Sequence, residues 1–595
     1  MMLSRNLLYP LVLLVLWSAI FLGNITRPAL LDDADSFHAE AVREMVLSGD
    51  WTTLRINNGI RYLEKAPLMY WLAATSVTIF GLHDWAVRLP LALFALFLTL
   101  LVYRFGTRFW GEKGGFYSGL VIATALGPFA FTRILIPDVM LSFFLAFCLY
   151  MYLQIAVDTD YEPRKIGPVD LPCAGLFASA ALAVITKGLV GVIFTGAIIL
   201  AHIVVTWNWK VLRRIQFGYG IIIFLLIAAP WHIAAALANS DFLWFYFIRE
   251  HLLRYLGLRY PKDYDTVPLL VFWGLHLVWL FPWSAFLWSI VRNFPRSLRP
   301  ADRTARVVLF LCVWIAVILT FFAFSTTQEY YTFPTLAAFA LLLGKGISDL
   351  DSPENNISRR WGLIGLGTAA LVSVAAGAGM IALTWIGNHA AQATNLASTL
   401  TVNPEYYNLA FGHMHDLTAA TFAHLSPLVH RTAVFLIVGP IAAFVFALWK
   451  RWIVSCLFLA AMMVGLCQSY SAGMSAFEPV LSSKSLAKVI EYYHKPGDMI
   501  VINDFYEKGS TLNYYTGLQV HVTDSGFGVL WYGLQDANAP KLTVTEQEIL
   551  EKWNSGTRIF LFSEKKPLKE FIARHPDLNF RVLAKEGGKS VLVNW

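Results

Sequence analysis

The sequence predicts a mainly α-helical integral membrane protein with a small α/β domain at its C-terminal end. Three observations carry this. Of 595 residues, 57% are hydrophobic and only 14% are charged, against about 25% charged in soluble domains. Apolar runs long enough to cross a bilayer, roughly 20 residues each, recur along most of the chain. After Gln468 the pattern changes to short β-branched runs alternating with amphipathic stretches.

The apolar runs give about thirteen expected spans. Their windows are 7–26, 86–104, 115–134, 138–157, 172–187, 189–206, 217–236, 268–291, 306–324, 332–345, 362–385, 433–449 and 452–470. The N-terminal run follows Arg5 and resembles a signal peptide. No small-x-small cleavage site precedes the acidic cluster, so it reads as an uncleaved first span.

Loop charge sets the orientation. Arg104, Arg108 and Lys113 share one side with Arg164 and Lys165, and with Lys210, Arg213 and Arg214. The same side takes Arg292, Arg296, Arg299, Arg303 and Arg306, then Lys345, Arg359 and Arg360, then Lys450 and Arg451. By the positive-inside rule these loops are cytoplasmic, and the 386–430 loop, without Lys or Arg, is outside. The N-terminus is then cytoplasmic and the C-terminal domain extracytoplasmic. The net charge of +7 lies in these short loops, which argues against a nucleic-acid partner. The five cysteines lie in apolar runs without CxxC spacing and read as core residues.

Leu68–Leu82 is apolar but too short to span, and counting it would invert every later loop. It therefore reads as an interfacial helix. Ser36–Leu47 also reads as a helix, with Phe37, Ala41 and Met45 on one face. The first outer loop thus carries two helices lying at the membrane surface. Residues 1–470 form the membrane domain and 471–595 the α/β domain. The expected strands are 499–502, 519–522, 558–562, 580–583 and 590–593; the expected helices are 484–493, 546–553 and 568–573. No nucleotide-binding glycine motif is present.

Candidate chemistry gathers in the outer loops. Asp32, Asp33 and Asp35 cluster after the first span. Asp33 and Asp35 can serve as a general base and its partner, or hold a metal. The competing reading is a solvated loop with Asp35 capping the following helix. In Glu64-Lys65-Ala66-Pro67, Lys65 can bind a phosphate and Glu64 a divalent cation, or the pair can simply sit at the interface. Asp138 opens the fourth span, as a third carboxylate or a helix cap. Lys187 lies in a tight outer turn. Glu250, His251 and Arg254 lie in the 237–267 loop, where His251 is half of a metal site or a plain surface residue. Tyr330 and Tyr331 are phosphate ligands or interface anchors. His413-Met414-His415-Asp416 is a weaker metal candidate. Span interiors hold almost no ionisable residues, unlike those of an ion-coupled transporter.

These strings resemble the GT-C superfamily of membrane glycosyltransferases, in the branch of bacterial lipid A aminoarabinose transferases and, more distantly, protein O-mannosyltransferases. The resemblance rests on Asp33-Ala34-Asp35 with Ala39-Glu40 and Arg43-Glu44-Met45, on Ser48-Gly49-Asp50-Trp51, and on Tyr62-Leu63-Glu64-Lys65-Ala66-Pro67 with Tyr70-Trp71. It extends to Arg88-Leu89-Pro90, Thr186-Lys187-Gly188, Glu250-His251 and Tyr331 with Pro334. It covers residues 1 to about 345.

The resemblance implies a polyprenyl-phosphate sugar donor and a lipid or glycan acceptor, in a bacterial inner membrane with the C-terminal domain in the periplasm. Asp33, Asp35 and Asp138 would be catalytic. Lys65, Arg254 and Tyr331 would bind the lipid phosphate. Glu64 and His251 would flank a divalent metal (Zn, Mn or Mg). Inversion at the sugar carbon is expected. A protein O-mannosyltransferase-like activity and a lipid or glycolipid transporter are the alternatives. The family's Asp-Glu register falls on Ala34 and Asp35, so Asp33 and Asp35 are rivals for the catalytic role. Ser36-Phe37 replaces an arginine common there, with His38 or Arg55 nearby to compensate.

Overall fold

The computed structural model describes residues 5–157, 161–261, 267–325, 328–352, 355–390 and 418–595. Among them, eight helices are long and apolar enough to cross a membrane. A ninth candidate is a pair, Leu269–Trp279 and Trp283–Asn293, bent by 95°. Four shorter apolar helices accompany them: Leu7–Leu22, Leu68–Phe80, Leu171–Lys187 and Val190–Thr206. The chain is a multi-pass membrane protein, and these lengths alone do not establish the expected number of thirteen.

Burial orders the bundle. The spans Asp138–Ala156 and Glu329–Leu350 are 83% buried and form its centre, whereas Phe217–Ala238 is 17% buried and faces outward. Apolar residues all round a buried helix and all round a lipid-facing one look alike in sequence, so only packing separates them.

The windows at 86–104 and 115–134 form two helices within Asp84–Thr124, separated by a break at Gly111. Gly111 has φ 77°, a backbone state that glycine adopts without a Cβ clash. Gly106 and Gly115 then pack so closely that a Cβ on Gly106 would lie 2.8 Å from the Gly115 Cα. The second helix stops at Thr124, turns at Ala125 and resumes over Leu126–Thr132. At the break, the Leu126 N–H donates to the Phe281 carbonyl at 3.1 Å, which lies in the bend between Trp279 and Trp283. One helix break thus satisfies the other, as backbone at membrane depth requires.

The first outer loop folds as Ala34–Ser48, a two-residue hairpin (Arg55–Ile56 with Ile60–Arg61), and Leu68–Phe80. The 13-residue Leu68–Phe80 helix rises about 20 Å, short of the roughly 30 Å hydrocarbon core. At the opposite end of the bundle, basic loops meet. Lys113 pairs with Asp351 at 3.1 Å, Arg292 donates to Asn355 at 2.9 Å, and Arg303 lies over the Phe109 ring.

The last membrane helix, Trp452–Leu481, runs past the expected boundary at 470. Its later turns lose hydropathy through Ser469, Ser471 and Ser475, but Ser469 and Ser475 return their hydroxyls to carbonyls four residues back, so the helix continues. The C-terminal domain then starts at the helix Lys484–Tyr493. Its five-stranded sheet runs His521–Val522, Met499–Ile502, Ile559–Glu564, Lys589–Val593, Arg581–Glu586. The first three strands are parallel and the last two close as an antiparallel hairpin. The helix Ser510–Thr516 was not visible in the sequence pattern. This domain sits on the first outer loop. Asn57 exchanges hydrogen bonds with the Val520 backbone, both at 2.9 Å, and Arg61 pairs with Asp536 at 2.7 Å.

Candidate functional site

One cavity of ≈1520 Å³ opens between the ends of the spans and the C-terminal domain. Asp33, Asp35, Asp138, Lys65, Arg254, Tyr331, Glu64 and His251 all lie in its wall.

The three clustered aspartates have three different environments. Asp32 is tied into the C-terminal domain. It accepts from the Thr511 backbone and hydroxyl at 2.9 and 2.6 Å, from Ser483 at 2.8 Å, and from Lys589 at 2.6 Å. Asp35 is buried and fixed. It accepts from the Leu135 N–H at 2.8 Å and from Arg88 at 3.2 Å, while Arg88 also donates to the Pro28 and Ala29 carbonyls. Asp35 therefore does not cap the outer helix; its carboxylate is used by groups far away in sequence.

Asp33 stands at the cap position instead, with φ 71° and ψ −127° and no side-chain cap bond. Positive φ is uncommon for a residue with a side chain and concentrates at functional sites. Its backbone is pinned by Ser510, whose hydroxyl accepts the Asp33 N–H at 2.9 Å and bonds the Ser36 hydroxyl at 2.6 Å. Among the described residues its carboxylate makes no hydrogen bond or ion pair. Its accessible surface faces the cavity, and protein encloses that space. Burial therefore pushes its carboxyl up to about 6; Lys508 opposes the shift, while Asp32 and Asp35 add to it.

The same cavity carries cations. Lys187 pairs with Asp138 at 2.6 Å and lies over the rings of Tyr330 and Tyr331. Arg254 donates to the Tyr331 hydroxyl at 3.0 Å. Lys65 pairs with Glu64 at 3.2 Å. Burial alone would raise Glu64; Lys65, Arg259 and Arg254 outweigh it and hold the carboxyl below its usual range. Glu250 is gripped by Arg249 and Arg259, which positions the helix that carries Arg254.

His251 is held at both ring nitrogens. Nδ1–H donates to the Tyr246 carbonyl at 2.5 Å, and Nε2 accepts the Leu189 N–H at 3.2 Å. Gly188 permits this approach: its φ is 77°, and a Cβ there would lie 2.1 Å from His251 Nε2. Burial lowers the imidazole's pKa, so the ring is neutral. Its metal-binding lone pair is already spent on Leu189, and no group of three potential ligands gathers among the described residues. Glu64 and His251 both line the cavity. The 413–416 candidate lies outside the described residues.

Of the two groups expected to replace the missing arginine, His38 bonds the Tyr70 hydroxyl at 2.6 Å and Arg55 turns to Gly59 and Asp50. The cations that act on Asp33 are Lys508 of the C-terminal domain and, more weakly, Lys65. The same wall carries Lys565, Lys566 and Lys569, which sequence reasoning did not single out.

Comparison with known proteins finds similar chains. Residues 64–233 match the model described as dolichyl-phosphate-mannose-protein mannosyltransferase. The chain is 26% identical over 415 residues to the undecaprenyl phosphate-α-4-amino-4-deoxy-L-arabinose arabinosyl transferase of Aeromonas salmonicida, covering 68% of this chain and 72% of that one. In sequence the chain is thus similar to membrane glycosyltransferases that use a polyprenyl-phosphate-linked sugar. The Pseudomonas aeruginosa (strain UCBPP-PA14) enzyme of the same name is 26% identical over 61% of this chain and 64% of its own length. ArnT from Cupriavidus metallidurans, solved bound to undecaprenyl phosphate, superposes with TM-score 0.79 at 21% identity, over 99% of this chain and 98% of that one. The GT-C fold here therefore includes the C-terminal domain as well as the bundle.

Proposed function

We propose that this glycosyltransferase moves a sugar from a polyprenyl-phosphate donor to an anionic, phosphate-bearing membrane lipid. Its relatives are named for undecaprenyl-phosphate-linked aminoarabinose, and a sugar of that class is the donor we assign. The observation that carries the reading is that the Asp33 carboxylate, unpaired among the described residues, shares one cavity with Lys65, Lys187 and Arg254.

The chemistry follows from that pairing of a base with phosphate-binding cations. An acceptor oxygen attacks the anomeric carbon while the bond to the polyprenyl phosphate breaks. The bonding pair leaves with the phosphate oxygen, where Lys65 and Arg254 stabilise the developing charge. Asp33 takes the acceptor's proton. A phosphate monoester that enters as its monoanion gives up its second proton near pH 6, and a carboxyl raised by burial is a competent base for it. Attack from the face opposite the leaving group inverts the sugar. Because His251 Nε2 is spent on Leu189, our reading assigns charge neutralisation to these side chains rather than to a bound divalent ion.

We place the basic loops that meet around Asp351 in the cytoplasm, and the cavity with the C-terminal domain in the periplasm of a bacterial inner membrane. The positive-inside pattern supports this.

The test is transfer by full-length protein in nanodiscs, from radiolabelled undecaprenyl-phosphate aminoarabinose. A bisphosphorylated disaccharide lipid should become labelled, and neither its dephosphorylated form nor a serine-threonine peptide should. Labelling of the peptide alone would replace this reading with a protein transferase, and lipid movement without labelling would replace it with a transporter.

A further inference from the structure

The cavity has a second basic surface that the donor does not need. It comes wholly from the C-terminal domain. Lys508 precedes by two residues Ser510, the residue that fixes the Asp33 backbone. It is half-buried in the wall, and among the described residues it forms no ion pair or hydrogen bond of its side chain. Lys565, Lys566 and Lys569 stand on the helix Lys565–Arg574, exposed and likewise without a salt-bridge partner among the described residues. All four lysines line the same cavity.

Glu507, in that wall, accepts the Val529 N–H at 2.6 Å and keeps its charge. Glu564 precedes the lysine helix and Glu570 lies on it. Lys589 is neutralised by Asp32. Four lysines therefore share this part of the cavity with three carboxylates, and among the described residues none of the four is held in a salt bridge. A lysine ammonium that lines a cavity without an ion-pair partner is a ready donor to a phosphate.

The donor phosphate has its own cations on the membrane side, Lys65, Lys187 and Arg254. The C-terminal lysines reach the same cavity from the other domain, and an acceptor deprotonated by Asp33 must enter that cavity too. We propose that the C-terminal domain forms the acceptor-binding half of the catalytic cavity: Lys508 steers the reacting phosphate onto Asp33, and Lys565, Lys566 and Lys569 hold further phosphate groups of an anionic glycolipid. This rests on the transferase reading above and adds which domain recognises the acceptor.

The domain's attachment fits that role. Asp32 binds Thr511, Ser483 and Lys589, immediately beside the catalytic candidate in sequence. Acceptor recognition and the base are therefore held in one rigid unit.

The experiment uses the full chain in nanodiscs with the undecaprenyl-phosphate aminoarabinose donor and the bisphosphorylated disaccharide lipid. Lys565→Gln/Lys566→Gln/Lys569→Gln should raise the acceptor KM at least about tenfold while the donor KM stays within about twofold, the scale of one lost charge-assisted bond. Lys508→Gln should do the same and Lys508→Arg should restore most of it. Direct binding of the same lipid, without donor, should fall in parallel, and binding of its dephosphorylated form should not change. An unchanged acceptor KM, or equal rises in acceptor and donor KM, would overturn the inference. If the wild type transfers no sugar to any lipid, the transferase reading fails instead, and unchanged lipid binding by the variants would then sink the acceptor site as well. Unaltered thermal unfolding of the variants excludes a folding defect as the cause.

Discussion

Lys589 donates to the Asp32 carboxylate at 2.6 Å, joining the last strand of the chain to the loop after its first span. Both side chains are nearly inaccessible, and Asp32 also receives Thr511 and Ser483. Removing one partner leaves a buried charge unpaired. Asp32→Ala is expected to destabilise the docked C-terminal domain by about 3 kcal/mol. Limited proteolysis should then release residues after 482 sooner than in the wild type.

Asp35 and Arg88 make a similar pair deeper in the protein. Asp35→Asn should lower the thermal midpoint of the whole membrane domain, because Arg88 keeps two carbonyl partners but loses its counter-charge. Activity should fall only in proportion to folded protein. Circular dichroism and specific activity per folded molecule separate the two effects.

The pH profile reports Asp33. Its carboxyl is raised to about 6 by burial, so it is protonated and ineffective as a base below that value. The logarithm of kcat/KM should climb with unit slope toward pH 6 and level off above it. Lys508 lowers the Asp33 pKa, so Lys508→Gln should move that acid limb to higher pH. A limb that stays in place in the variant would separate Lys508 from Asp33.

Lys65 and Arg254 face the leaving phosphate in our reading. Lys65→Ala should reduce kcat about 10²-fold, as loss of one preorganised donor to a developing anion does. Chelation with EDTA should leave the wild-type rate unchanged, since His251 is already bonded at both nitrogens. Loss of activity on chelation, restored by added zinc or manganese, would require His251 to exchange Leu189 for a metal.

Sequence patterning revealed the membrane bundle, the two outer helices and most strands because each depends on local contrast. Glu64-Lys65 stands out beside lipid-facing runs, and Met499–Ile502 stands out in a polar domain. The lysines of the C-terminal domain had no such contrast: Lys508 is an ordinary charged residue in a soluble segment until the fold places it beside Asp33. The division of labour among Asp32, Asp33 and Asp35 was also illegible. It depends on Lys589, Arg88 and Ser510, contacts made at 557, 53 and 477 residues' separation. The helix break at Ala125 was hidden for the same reason, since Phe281 supplies its hydrogen-bond partner.

Asp33→Asn changes one atom at the only member of the acidic trio whose carboxylate is unpaired among the described residues. Single-turnover transfer from undecaprenyl-phosphate aminoarabinose by this variant should slow by at least about 10²-fold, with donor binding and thermal unfolding unchanged. Wild-type single-turnover rates in Asp33→Asn, with the loss appearing in correctly folded Asp35→Asn instead, would contradict the assignment of Asp33 as the base.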